Sequence, residues 1–161
     1  MASAPDELVA ALNDLVELNK DSAKGFIRAK NDVTDEELTH LFDTLSRERT
    51  GMADDLQQAV QQLGSKPEEE GSAAGALERG WLNIKAAMTI EHDKTDAIVV
   101  TDRAEHEAEV RASYMQLLDR SLPPPVARLL RRQAEQVKQA HQNLERLQAK
   151  ISESNAARSK R

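Results

Sequence analysis

Apolar residues recur at three- and four-residue steps through four long stretches of this chain, and that spacing commits it to helices. The first runs from about Asp6 to Asn31 and carries Leu8, Leu12, Leu15, Val16, Ala23, Phe26 and Ile27 on one face. The second, opening near Thr34, carries Leu38, Leu41, Phe42, Leu45, Met52, Leu56, Val60 and Leu63. The third, from about Asp93 to Asp119, turns Ala97, Val100, Ala104, Tyr114 and Leu118 inward. The fourth, ending near Ser152, uses Val126, Leu130, Val137, Leu144, Leu147 and Ile151. Nothing between them reads as a strand.

The punctuation is equally legible. Thr34 and Glu37 have the spacing of a capping box at the start of the second helix, and Gly64 stops it. Pro123-Pro124-Pro125 breaks the chain and opens the fourth helix, because proline is tolerated in a first turn. Gly25, inside the first helix, costs about 1 kcal/mol against alanine. Four helices of matched length, each ~40 Å at 1.5 Å per residue, with short links between the first and second and between the third and fourth, imply two antiparallel hairpins. The stretch 64–91 between the hairpins is long enough to cross the bundle end to end. Its segment Ala74–Met88, with Leu77, Trp81, Ile84 and Ala87 at helical spacing, reads as a short fifth helix. The expectation is an all-α, ferritin-like four-helix bundle over residues 5–152, with residues 153–161 a basic, disordered tail.

Composition narrows the function classes. Cys is 0, which removes disulfides, thiolate zinc sites and thiol nucleophiles. Aromatic residues are 2%, too few for a base-stacking platform. No segment approaches the ~20 apolar residues of a membrane span, and the first residues carry neither a basic region nor an apolar run, so a cytoplasmic protein is expected. The net charge is −6, but residues 121–161 hold nine Lys or Arg against three Asp or Glu. Arg128, Arg131 and Arg132 could therefore meet nucleic acid or another anionic surface. A solvated basic face beside acidic helices is the simpler reading. A narrow Leu/Ala stripe also makes a homodimer the expected assembly.

The more informative feature is where the stripes fail. In the second helix the step after Leu45 lands on Glu48 and Arg49. In the third, the step after Ala104 lands on Glu107. In the fourth, the stripe passes Gln133 and reaches His141. In the first, it passes Asn19 and Ser22, with Asp21 nearby. Each failure lies near mid-helix, so an aligned bundle stacks them into one or two polar layers. Buried carboxylates must be paired, protonated or metal-bound. Inward Glu and His on facing helices are how di-metal carboxylate bundles are built. Glu48, Glu107 and His141 are the candidate ligands, with Gln133 and Asp21 weaker, and iron, manganese or zinc would suit them. The pattern is incomplete: the lone Glu-x-x-His, Glu37 to His40, falls in the first turns of its helix, and Lys138 precedes His141 where a carboxylate is needed. The alternative is a hydrogen-bonded layer in which Arg49 or Arg103 neutralises a glutamate and His141 is a satisfied histidine. His92 and His106 are expected to face solvent.

Arg79-Gly80-Trp81-Leu82-Asn83-Ile84-Lys85 is a distinctive run. Together with Leu12-Asn13-Asp14-Leu15, Glu37-Leu38 through Leu41-Phe42, and Gln139-Ala140-His141, it resembles a bacterial family of ferritin-like four-helix bundles without an established activity. The resemblance spans residues 8–149. It implies an acidic position at Glu107, a histidine at His141 and a match at Gln133. It also implies glutamates where this chain has Lys24 and Arg131, which places positive charge near any cation centre. The expected function is a non-catalytic or weakly metal-binding stress or housekeeping protein with an eroded metal centre. The alternatives are an iron- or manganese-dependent oxidase and a module binding an anionic partner.

Overall fold

A computed structural model of the chain describes residues 4–64 and 92–159. Four helices account for almost all of them: α1 (Ala4–Asp32), α2 (Glu36–Gln62), α3 (His92–Leu118) and α4 (Pro124–Ser159). α1 packs on α2 and α3 packs on α4 as the two intimate pairs, while α1–α3 and α2–α4 contacts join the hairpins. Around the bundle the order is therefore α1, α2, α4, α3. Asn19 meets Tyr114 near one end of the shared run and Thr34 meets Asp96 near the other, so α1 and α3 are antiparallel. Residue 64 and residue 92 consequently stand at opposite ends of the bundle, as the matched lengths require. The fifth helix expected at Ala74–Met88, with Trp81, lies outside the described residues, as do the side chain of His92 and the motif from Arg79 to Lys85.

The helix ends show which sequence signals were decisive. Gly64 terminates α2 with φ +84°, a left-handed conformation that glycine adopts without steric cost. Pro124 opens α4, and the Ala127 amide donates to the Pro123 carbonyl at 3.0 Å. The capping box is corrected: Asp35, not Thr34, caps α2, its carboxylate accepting from the Leu38 amide at 3.0 Å. Thr34 is drawn away by Asp96 of α3, which is buried and takes the Thr34 amide at 3.0 Å, the Thr34 hydroxyl at 3.1 Å and the Asp35 amide at 3.1 Å. Glu37 is free to reach Lys150 of α4 at 3.0 Å instead of folding back on its own helix. α4 also runs past Ser152 to Ser159, so residues 153–159, expected as disordered tail, continue the helix. Its last turns are exposed on every side through Arg158.

The core comes in two halves. One cluster is built on Leu12, Val16, Leu56, Val60, Val110, Leu130 and Val137. The other is built on Phe26, Leu38, Phe42, Val100, Leu144 and Leu147. Between Val16 and Phe26, apart from Ala23 and Gly25, and between Leu45 and Met52 and between Ala104 and Val110, the inward positions are polar. Among the described residues no helix is long and apolar enough to cross a membrane.

Asp96 fastens the α1–α2 turn to α3 through charge-assisted bonds to two backbone amides and a hydroxyl. Asp96→Ala is expected to lower stability by about 2 kcal/mol, with Asp96→Asn intermediate, as read from urea denaturation midpoints.

Candidate functional site

The polar belt between the two core halves is where chemistry would have to happen. Its lower tier is a chain of hydrogen bonds that touches all four helices. Asn19 of α1 donates through Nδ2 to the Tyr114 hydroxyl of α3 at 2.8 Å and to its own helix at the Leu15 carbonyl. Tyr114 donates to Gln133 Oε1 of α4 at 2.7 Å, and Gln133 Nε2 donates to the Met52 carbonyl of α2 at 3.1 Å. Asn19, Tyr114 and Gln133 are each fully buried. Burial raises the Tyr114 phenol well above its ordinary pKa, so it stays protonated and remains a donor. Gln133, a weak metal candidate in the sequence, has both ends of its amide committed to this chain.

The upper tier is charged. Arg49 of α2 and Glu107 of α3, both at 0% exposure, form an ion pair across the core. The same guanidinium donates to Glu48 at 2.9 Å and lies 3.0 Å from Met52 Sδ. Glu48 and Glu107 therefore converge on an arginine, and a divalent cation placed between them would meet that positive charge. His141 points elsewhere: Nδ1 bonds the Ala104 carbonyl of α3 at 2.9 Å, and Nε2 bonds Glu145, one turn along α4, at 2.6 Å. Asp21, the other weak candidate, is 2% exposed on α1. Among the described residues no group of three or more His, Asp or Glu is placed to hold a metal ion. The arrangement agrees with the alternative weighed from sequence, in which Arg49 neutralises a glutamate and His141 is satisfied within the fold.

Two participants, His106 and Ser46, were not legible beforehand, and Arg103, weighed as a partner for a glutamate, has a ring contact that the sequence did not show. His106, expected in solvent, turns to α1, where its Nε2 lies 2.9 Å from the Ser22 hydroxyl. Burial, then the nearby charges of Arg103 and Arg49, hold its pKa down at about 3. Ser46 of α2 donates to the Ala23 carbonyl of α1 at 2.9 Å, a bond its position one turn from Arg49 hides in the sequence. Arg103 lies over the Phe26 ring, Cζ 4.7 Å from the centroid. Gly25 makes room for it, since a Cβ there would sit 3.0 Å from the same Cζ. The helix penalty at Gly25 is thus the cost of admitting a guanidinium between α1 and α3.

A family model described as a domain of unknown function (DUF2383) matches residues 7–120, which take in α1 through α3. The chain belongs to that family. No curated protein matches it. Among solved structures it is similar to "YcfI, a putative structural protein from Rhodopseudomonas palustris", with a TM-score of 0.68 and 17% identity over 89% of this chain and 94% of that one. At that identity the likeness supports the four-helix fold and nothing about activity.

The charged tier makes two measurable claims. Glu107 Oε1 and Arg49 Nε have no hydrogen bond among the described residues, so the pair is incompletely compensated. Arg49→Met, which strands Glu107 in the core, is expected to cost about 3–5 kcal/mol. Glu107→Leu leaves Arg49 with Glu48 and costs less. The double variant Arg49→Met/Glu107→Leu recovers most of the loss, giving a strongly coupled double-mutant cycle in urea. The second claim concerns pH. His106 is neutral in the folded chain down to about pH 3, whereas an unfolded histidine protonates near 6.5. Its contribution is complete above pH 6.5 and falls away below it, by up to about 1.4 kcal/mol per pH unit. The difference in stability between the parent and His106→Gln, followed from pH 7 to pH 4, should shrink or reverse by that amount.

Proposed function

We propose that this chain is a non-catalytic helical bundle of ferritin-like descent, serving a structural or housekeeping role, in which a buried arginine stands where a metal centre has eroded. The observation that carries the reading is the full burial of Arg49 between Glu48 and Glu107. A site that retained a divalent metal would keep those carboxylates free to ligate. Here one guanidinium takes both, and its own charge opposes a cation. Support for descent comes from two hairpins whose facing ends lie at opposite ends of the bundle, and from Glu107 and His141 at mid-helix where the resemblance implies an acidic residue and a histidine. The lower tier adds support of another kind: an Asn–Tyr–Gln–carbonyl chain that uses all four helices fixes register, as a structural core layer does. The description of the structural neighbour as a structural protein is in keeping with this reading.

Elemental analysis of purified, untagged protein, paired with thermal melts in chelator and in added Fe(II), Mn(II) or Zn(II), tests the proposal. Substoichiometric metal and a melting temperature within about 1 °C across all conditions are expected, because a ligand that binds only the folded chain would raise it by mass action. Stoichiometric metal that disappears in Glu107→Ala would overturn the proposal and make the belt a metal centre.

A further inference from the structure

The basic face of α4 is not uniform. Toward its C-terminus, Arg146 and Lys150 are answered within the chain by Glu37, at 4.0 and 3.0 Å. Toward its N-terminus, Arg128 and Arg131 are exposed and form no ion pair among the described residues, nor does Arg120 in the turn before α4. Arg132 is only loosely engaged, 3.7 Å from Asp55. Three of the cations without an ion pair among the described residues, Arg120, Arg128 and Arg131, are therefore neighbours at one end of the bundle, while Lys24, Arg111 and Lys138 lie further along it.

That end is also hollow. A groove of about 490 Å³ runs between the end of α2 and the start of α4, floored by Leu63, Val126 and Leu129 and edged by Arg128 and Arg132. A second hollow of about 360 Å³ lies over the start of α1, floored by Leu8 and Leu122 and edged by Arg120. The two meet at Leu63 and Pro123, which line both. Leu63, at the junction of the two apolar floors, is 37% exposed.

The geometry points to this groove as the docking site for an acidic amphipathic helix of a partner protein. Guanidinium groups along the edges choose carboxylates, and the leucine and valine floor accepts the apolar stripe of a helix laid lengthwise. Glu7 and Asp55 on the rim set the register by opposing carboxylates that fall out of step. A nucleic acid would leave the apolar floor unused, and an anionic membrane, being flat, would not reach the recessed Leu8, Leu122 and Leu129. The first 120 residues, which supply one side of the groove including Arg120, Glu7 and Asp55, are acidic as a whole, with 25 Asp or Glu against 13 Lys or Arg. An acidic partner is therefore repelled elsewhere and guided to this end. The groove lies away from the belt, so the inference goes beyond the proposed structural role and stands or falls apart from the metal analysis.

The test uses the full chain and a fluorescently labelled helical peptide of about 18 residues, with leucines at i, i+3, i+4 and i+7 and glutamates on the flanks. Micromolar binding by anisotropy is expected, weakened about tenfold or more by Arg120→Glu/Arg128→Glu and separately by Leu63→Ser. All these side chains are exposed, and circular dichroism confirms that each variant remains folded. Amide shifts in a heteronuclear titration should centre on residues 59–63 and 120–132. Three outcomes would overturn the inference: equal binding of the same peptide with lysines on its flanks, shifts centred elsewhere, or tighter binding to short duplex DNA or to phosphatidylglycerol vesicles. The last would make the arginines a general anion surface.

Discussion

The fold depends on placing a charged pair where an apolar core would be simpler. Arg49 and Glu107 come from different hairpins, so the pair forms only when α2 and α3 present the right turns to one another. Packing of leucines tolerates a slip of one helical turn far better than an ion pair does, because apolar contact is non-directional. Removing two full charges from water nevertheless costs most of what their attraction returns. The pair thus contributes more to uniqueness of alignment than to stability, and the hydrogen-bond chain through Asn19, Tyr114 and Gln133 repeats the constraint one tier below. Two independent registers fix the alignment, one ionic between α2 and α3 and one neutral through all four helices.

Much of this could be read from the chain before any coordinates. Helical periodicity gave four segments, and Gly64 and Pro123-Pro124-Pro125 marked ends that hold. The failures of the stripe at Asn19, Ser22, Arg49 and Glu107 foretold a polar belt at mid-bundle. What could not be read was which polar residue meets which. His106 sits one position before Glu107 among charged neighbours and has the look of a solvent-facing residue. Its contact with Ser22 depends on the rotation of α3 against α1, which periodicity alone does not set. Thr34 offered a sound local cap, but Asp96, more than sixty residues away, supplied a better acceptor and moved the cap to Asp35. Local rules lost to tertiary partners at both places.

The candidate metal set shows the same limit from the other side. Glu48, Glu107 and His141 are the right residue types at plausible depths, and two of them do reach the belt. Donor type does not say which charged partner each residue will meet once the helices pack. Arg49, one residue from Glu48, belonged to the same break in the stripe, and its length let it turn inward beside Met52 and reach both glutamates. His141 lies on the flank between α3 and α4, where backbone and Glu145 satisfy it.

The chain has one tyrosine, and its position gives the molecule a built-in gauge. The Tyr114 hydroxyl links α1 to α4 directly, with α2 held one bond further on. Any loosening that separated the hairpins would break at least one of its two hydrogen bonds and admit water to the phenol. Its near-ultraviolet contribution, separated from that of the single tryptophan by a Trp81→Phe background, therefore reports alignment of the whole bundle, whereas far-ultraviolet helicity would persist in each hairpin alone. A state with helices intact but the hairpins drifting apart would be visible through this one chromophore before it was visible in helix content.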